Sequence, residues 1–154
     1  MAVDHLDLVV SSLEESLAFY RELLEPLGYD RETEIVGERG ERVVYLSDGE
    51  TAVSLRERQS GHGDGPYDRY AIGLHHLCFA CPSRATVDER ARWLDERGAT
   101  IESGPREYPY SPGYYAVFFF DPDGLKLELA HQPTEHGGLA TEDGETQLPT
   151  HADQ

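Results

Sequence analysis

The feature that most constrains this chain is that it is written twice. Residues 4-DHLDLVVSSLEESLAFYRELLEPLGY-29 and 75-HHLCFACPSRATVDERARWLDERGATI-101 each read as a strand, a helix start, an amphipathic helix and a glycine stop. In the first copy Ser12 and Glu15 have capping-box spacing, and Leu13, Leu17, Tyr20 and Leu24 form the apolar stripe that ends before Gly28. In the second, Thr86 and Glu89 have that spacing, Val87, Ala91 and Leu94 form the stripe, and Gly98 stands where a helix C-terminal glycine belongs. Strand-like segments follow each helix and lead to a hairpin signal, Asp48-Gly49 in 43-VVYLSDGETAVSL-55 and Asp123-Gly124 in 114-YYAVFFFDPDGLKLELA-130. His5 and His76 are 71 residues apart and the two Asp-Gly pairs 75 apart, so two β-α-β-β-β units differing by a few loop residues account for both offsets. The fold class is therefore α+β, with two tandem βαβββ modules.

The modules are expected over residues 1–58 and 72–131 of a single domain. Between them, 59–71 is a glycine-rich linker, and 132–154 is an acidic tail without periodicity, expected to be mobile. Charge narrows the partners. Thirty acidic residues face thirteen basic ones for a formal charge of −17, and Lys126 is the sole lysine. No basic patch exists to hold nucleic acid, and anionic membranes would repel such a surface. A chain this acidic suits high salt, where screening relieves self-repulsion. No stretch has the length of a membrane helix, and the start, 1-MAVDHLDLVV-10, lacks the basic residues of a signal peptide, so a cytoplasmic protein is expected. Cys78 and Cys81 would lie on opposite faces of a strand, which makes two buried free thiols the expectation rather than a disulfide.

Strand alternation selects candidate site residues. Leu6, Leu8 and Val10 form an apolar face that must pack on the helix, leaving His5, Asp7 and Val9 on the other. Leu77 and Phe79 correspond to Leu6 and Leu8, so His76 corresponds to His5. His75 then falls at the strand's start as a packing or solvent-edge residue. Leu125, Leu127 and Leu129 share the helix-facing side of the last strand, which turns Lys126, Glu128 and Ala130 to the other. His5, His76 and Glu128 thus leave the packed layer for the open face. Two imidazoles and a carboxylate with other positions open are a ligand set used for Fe(II) and related divalent ions.

The segments H-L-D-L-V at His5, H-L-C-F at His76 and F-F-F-D-P-D-G-L-K-L-E-L ending in the strand of Glu128 resemble the vicinal oxygen chelate superfamily over residues 4 to 131. That family includes glyoxalases, extradiol dioxygenases, thiol transferases that inactivate fosfomycin, methylmalonyl-CoA epimerases and bleomycin-binding proteins. The resemblance implies eight strands in a curved mixed sheet around a metal cleft. It also implies His5, His76 and Glu128 as ligands of Fe(II), Mn(II), Zn(II) or Ni(II), a small-molecule substrate, and a homodimer. Glyoxalases and epimerases add a carboxylate from the last strand of the first module. Here that strand is 50-ETAVSLRERQ-59, and Val53, Ala52 or Ser54 falls opposite Glu128 depending on register, with Glu57 reachable only by a longer strand. This favours a dioxygenase-type reaction over a glyoxalase-type lyase or isomerase. A non-catalytic drug- or metabolite-binding protein is the reading from another class. Tyr110 and Tyr115 are candidate proton-moving or orienting phenols, and Tyr114, Arg56 and Arg106 candidate substrate contacts. His62 in the linker is expected to be solvated, and His131 to lie on the leucine-lined face.

Overall fold

A computed structural model describes residues 3–63, 65–133, 139–140 and 146–147. The chain divides into two compact units, one of residues 1–67 with 121–124, the other of residues 68–120 with 125–154.

In the first unit, β1 (His5–Val10) leads through Ser12 into α1 (Leu13–Leu24), a 3₁₀ turn (Glu25–Leu27), then β2 (Arg31–Val36), β3 (Arg42–Ser47) and β4 (Ala52–Glu57). Ser12 caps α1 as its spacing predicts, its hydroxyl accepting the Glu15 N–H at 3.3 Å. The strand order is β1-β4-β3-β2, with β1 parallel to β4 and the other neighbours antiparallel. Leu6 and Leu8 stand opposite Val53 and Leu55, which stand opposite Leu46 and Val44, so one sheet face is apolar across β1, β4 and β3. That face and the α1 stripe of Leu13, Leu17, Tyr20 and Leu24 form the core, all but the half-buried Leu6 being buried. The 121–124 turn is anchored in this unit: the buried Tyr20 hydroxyl donates to Asp121 at 2.6 Å, and the Ser11 N–H to Asp123 at 3.0 Å.

The second unit repeats the plan with β5 (Leu77–Ala80), α2 (Arg84–Arg97), β6 (Ile101–Glu107), β7 (Tyr115–Phe120) and β8 (Lys126–His131), in the order β5-β8-β7-β6 with β5 parallel to β8. The α+β class and the two modules expected from the repeat are both present, each module forming its own four-stranded sheet rather than sharing one of eight strands. Leu127 and Leu129 of β8 lie opposite Leu77 and Phe79 on one side and Phe119 and Val117 on the other, against Val87, Ala91 and Leu94 of α2. The helix starts earlier than the Thr86–Glu89 spacing suggests. Ser83 is the N-cap, accepting the Thr86 N–H at 3.1 Å. Both serine and threonine can cap, and the apolar stripe alone could not tell which turn comes first. Gly98 ends α2 in the left-handed conformation (φ 80°), as its position predicts.

Most of the 132–154 tail lies outside the described residues. Within it, β9 (Leu139–Ala140) pairs antiparallel with β10 (Thr146–Gln147). No helix among the described residues is long and apolar enough to cross a membrane.

Candidate functional site

Pairing in the two sheets settles which residue of the first module is equivalent to Glu128. Cys78 stands opposite Glu128 in the second sheet, and Asp7, the repeat equivalent of Cys78, stands opposite Ser54 in the first. Of the three registers open in the sequence, the one that aligns Ser54 with Glu128 is realised. The same correspondence extends one strand further. Tyr45 lies opposite Ser54 and Phe118 opposite Glu128, and each ring meets the histidine of its own module edge-on at 6.2 Å, Tyr45 against His5 and Phe118 against His76.

In the second unit, His76 and Glu128 come together, with Nε2 of the imidazole 3.2 Å from Oε2 of the carboxylate. Glu128 is only 3% exposed, although alternation alone pointed its strand position at solvent. An unpaired carboxylate that deep would cost several kcal/mol, so its partners matter. Tyr114, itself buried, donates its hydroxyl to Oε1. Burial and then that bond to Glu128 push the Tyr114 phenol far above its ordinary range, so it stays protonated as a donor. Tyr110 packs edge-on against Tyr114 at 5.2 Å and stacks on Tyr108 at 5.4 Å. Tyr108, Tyr114, Ala116, Phe118 and Ala130 make an apolar wall around the carboxylate. Burial, then the Glu128 charge, raises the Tyr110 phenol too, so it can donate a hydrogen bond but is a poor base. Arg106 lies at the rim, its guanidinium 4.5 Å from the Tyr108 ring centroid.

With Oε1 held by Tyr114, Oε2 faces the His76 Nε2. One hard oxygen and one borderline nitrogen suit a first-row divalent ion. Among the described residues no group of three His, Cys, Asp or Glu side chains converges as a complete cage. His5, the third residue of the expected set, is half-exposed in the first unit, where Asp4 accepts from Nδ1 at 2.7 Å and raises the imidazole above its usual value.

Three other expectations are met differently. Tyr115 points to the helix side of β7, its hydroxyl donating to Asp88 of α2 at 2.6 Å with the Arg84 guanidinium 4.9 Å from its ring centroid, and so does not join Glu128. Strand alternation dictates this, because within β7 Tyr115 shares the face of Val117 and Phe119, opposite to that of Phe118, the register partner of Glu128. Arg56 is engaged within the first unit by Asp7 at 2.6 Å and Glu41 at 3.3 Å, and Asp7 also accepts from Ser54. Cys78 and Cys81 are both free, as expected, but only Cys81 is buried. Burial pushes the Cys81 thiol up to about 11. His131 is half-buried with Nδ1 3.2 Å from the Cys81 carbonyl, and His62 is exposed.

Two residues near the site have partners that the sequence reading did not foresee. Lys126 is 1% exposed, its ammonium 2.9 Å from Glu102 and 4.8 Å from the Phe118 ring centroid. Glu102 also accepts from Arg69 at 2.7 Å. A single lysine in an acidic chain, two positions before Glu128, was the available signal. The other is His75, whose Nδ1 lies 2.8 Å from Nδ1 of His76. Burial, followed by the neighbouring His76, Lys126 and Arg69, lowers the His75 pKa and favours its neutral form.

Residues 2–129 match the family model of the Glyoxalase/Bleomycin resistance protein/Dioxygenase superfamily. An uncharacterized protein of Bacillus subtilis (strain 168), YqjT, is 31% identical over 127 residues, covering 81% of this chain and 94% of the relative. The metallothiol transferase FosB of Staphylococcus epidermidis is 26% identical, covering 83% and 80%. Among solved structures, a glyoxylase/bleomycin resistance protein/dioxygenase domain from Frankia sp. EAN1pec superposes with a TM-score of 0.68 at 28% identity, over 85% of this chain and 97% of that one.

Proposed function

Because this chain belongs to the Glyoxalase/Bleomycin resistance protein/Dioxygenase superfamily, we propose that it is a divalent-metal-dependent enzyme of small oxygenated metabolites, with His5, His76 and Glu128 as the ligands. The observation that carries this reading is the convergence of the His76 Nε2 and the Glu128 Oε2 at 3.2 Å, with Tyr114 occupying the other carboxylate oxygen. A bound Fe(II), Mn(II), Zn(II) or Ni(II) would act as a Lewis acid on two neighbouring substrate oxygens.

The chain's own residues divide the remaining work. Tyr114 orients Glu128 and keeps its negative charge hydrogen-bonded. Tyr110, protonated and at the edge of the aromatic wall, is suited to donate to a substrate oxygen. The wall itself excludes water on one side, which strengthens electrostatic interactions there. Arg106 at the rim is suited to a substrate anion. Ser54 at the position equivalent to Glu128 supplies no fourth carboxylate, which favours dioxygenase-type chemistry, with open metal positions, over a glyoxalase-type lyase or isomerase. The similarity to a metallothiol transferase keeps group transfer to a small oxygenated molecule as the second reading. A homodimer in the cytoplasm goes with either.

Elemental analysis of the wild type beside a His5→Ala/His76→Ala double variant tests the metal. The wild type should retain a first-row metal after anaerobic loading and the variant should not; equal metal content would refute the reading. Oxygen uptake with catechols by the Fe(II)-loaded protein then separates oxygenase from lyase chemistry.

A further inference from the structure

We propose that His75 is a positioning residue for His76, setting which imidazole nitrogen carries the proton; the inference rests on His76 being a metal ligand. Had both residues belonged to a regular strand, their side chains would point to opposite faces and could not meet. Instead β5 begins only at Leu77, and His75 sits in a bend two residues after Gly73 (φ 143°). The bend brings the two Nδ1 atoms to 2.8 Å, with the ring planes at 80°. Tyr70 lies edge-on to His75 at 5.6 Å, and its neighbour Arg69 is tied to Glu102, so the bend is held from the linker side as well.

The proton count of two neutral imidazoles makes this contact consequential. Each ring carries one N–H, and a bond between two Nδ1 atoms needs one donor and one acceptor. Without a cation, His76 can donate from Nε2 to Glu128 while its Nδ1 accepts from His75. When Nε2 binds a cation, that nitrogen must give up its proton, so the proton of His76 has to sit on Nδ1. His76 then donates to His75, and His75 carries its own proton on Nε2. Between the two arrangements one proton crosses the Nδ1–Nδ1 bond, one leaves Nε2 of His76 and one arrives at Nε2 of His75. Each ring stays neutral. A packing role for His75 would require none of this geometry, and a partner that fixes the tautomer of a ligating histidine raises metal affinity.

The experiment compares zinc affinity, by competition with a chromogenic chelator, in the wild type, His75→Phe, His75→Asn and His76→Ala, with folding checked by circular dichroism. His75→Phe, which keeps the ring and loses the acceptor, should weaken binding about 10–100-fold. His75→Asn, whose amide oxygen can replace Nδ1 as acceptor, should recover most of that loss. In the zinc-loaded wild type, ¹⁵N spectra should show His76 protonated at Nδ1 and His75 protonated at Nε2. A folded His75→Phe that binds zinc like the wild type, or the opposite tautomers in the spectra, would overturn the proposal. Equal zinc affinity in the wild type and His76→Ala would instead remove the metal reading on which it rests.

Discussion

At the scale of single residues, the site depends on how a buried carboxylate and a buried ammonium are compensated. Tyr114→Phe removes the donor to Glu128 and leaves Oε1 in an apolar wall. The expected cost is about 1–3 kcal/mol of stability, read from urea unfolding. No loss would mean that another group satisfies that oxygen. Glu102 shows how pH enters. Burial alone would raise its pKa, but hydrogen bonds from Lys126 and Arg69 outweigh burial and bring it below the ordinary carboxylate value. A depressed folded pKa contributes stability above the unfolded value of about 4.3, and that contribution is lost as pH falls through the folded value. Glu102→Gln should therefore be less stable than the wild type at pH 7 by about 3 kcal/mol, because Lys126 is only 1% exposed. The gap should narrow as pH falls below the unfolded value of about 4.3. Unfolding curves across pH 3 to 8 check both the gap and its narrowing. His5, His76 and Glu128 were legible as candidates from alternation and the repeat, whereas the burial of Glu128 and the partner of Lys126 were not, since both depend on side chains contributed by other strands.

At the scale of elements, the repeat made nearly every strand and helix legible, and the errors fall at starts. The helix α2 begins at Arg84 with Ser83 as its cap, one turn ahead of the start suggested by Thr86 and Glu89. Ser83→Ala should cost about 1 kcal/mol, while Thr86→Val, which leaves the cap in place, should cost less. Equal losses in thermal unfolding would return the cap to Thr86. The start of β5 at Leu77 had a larger effect, because parity arguments hold only inside a strand. His75 lies outside it, so alternation correctly placed Leu77, Cys78 and Phe79 but could not show that His75 meets His76. Gly73, with its positive φ, was the local signal that the chain was still turning there.

At the scale of the whole molecule, net charge acts on stability in a way that no single contact describes. A formal charge of −17 on 154 residues implies long-range repulsion. Screening shortens its reach from about 10 Å at 0.1 M salt to about 3 Å at 1 M. The unfolding midpoint should rise between low and molar potassium chloride, even though the exposed pairs Arg21–Glu32 and Arg42–Glu34 weaken. A midpoint that stays flat or falls would show that local ion pairs outweigh the net charge.

By itself the sequence determined the two-module architecture, the helix-facing side of each sheet and the three candidate ligands. These follow from periodicity and from the cost of burying polar groups, which act along the chain and are visible in one dimension. Only the tertiary structure decided that Ser54 is the equivalent of Glu128, that Tyr114 rather than Tyr115 meets the carboxylate, and that His75 bonds to His76. Strand register, the end of a strand and the partner of a buried charge are set by contacts between distant residues, so no local pattern could record them.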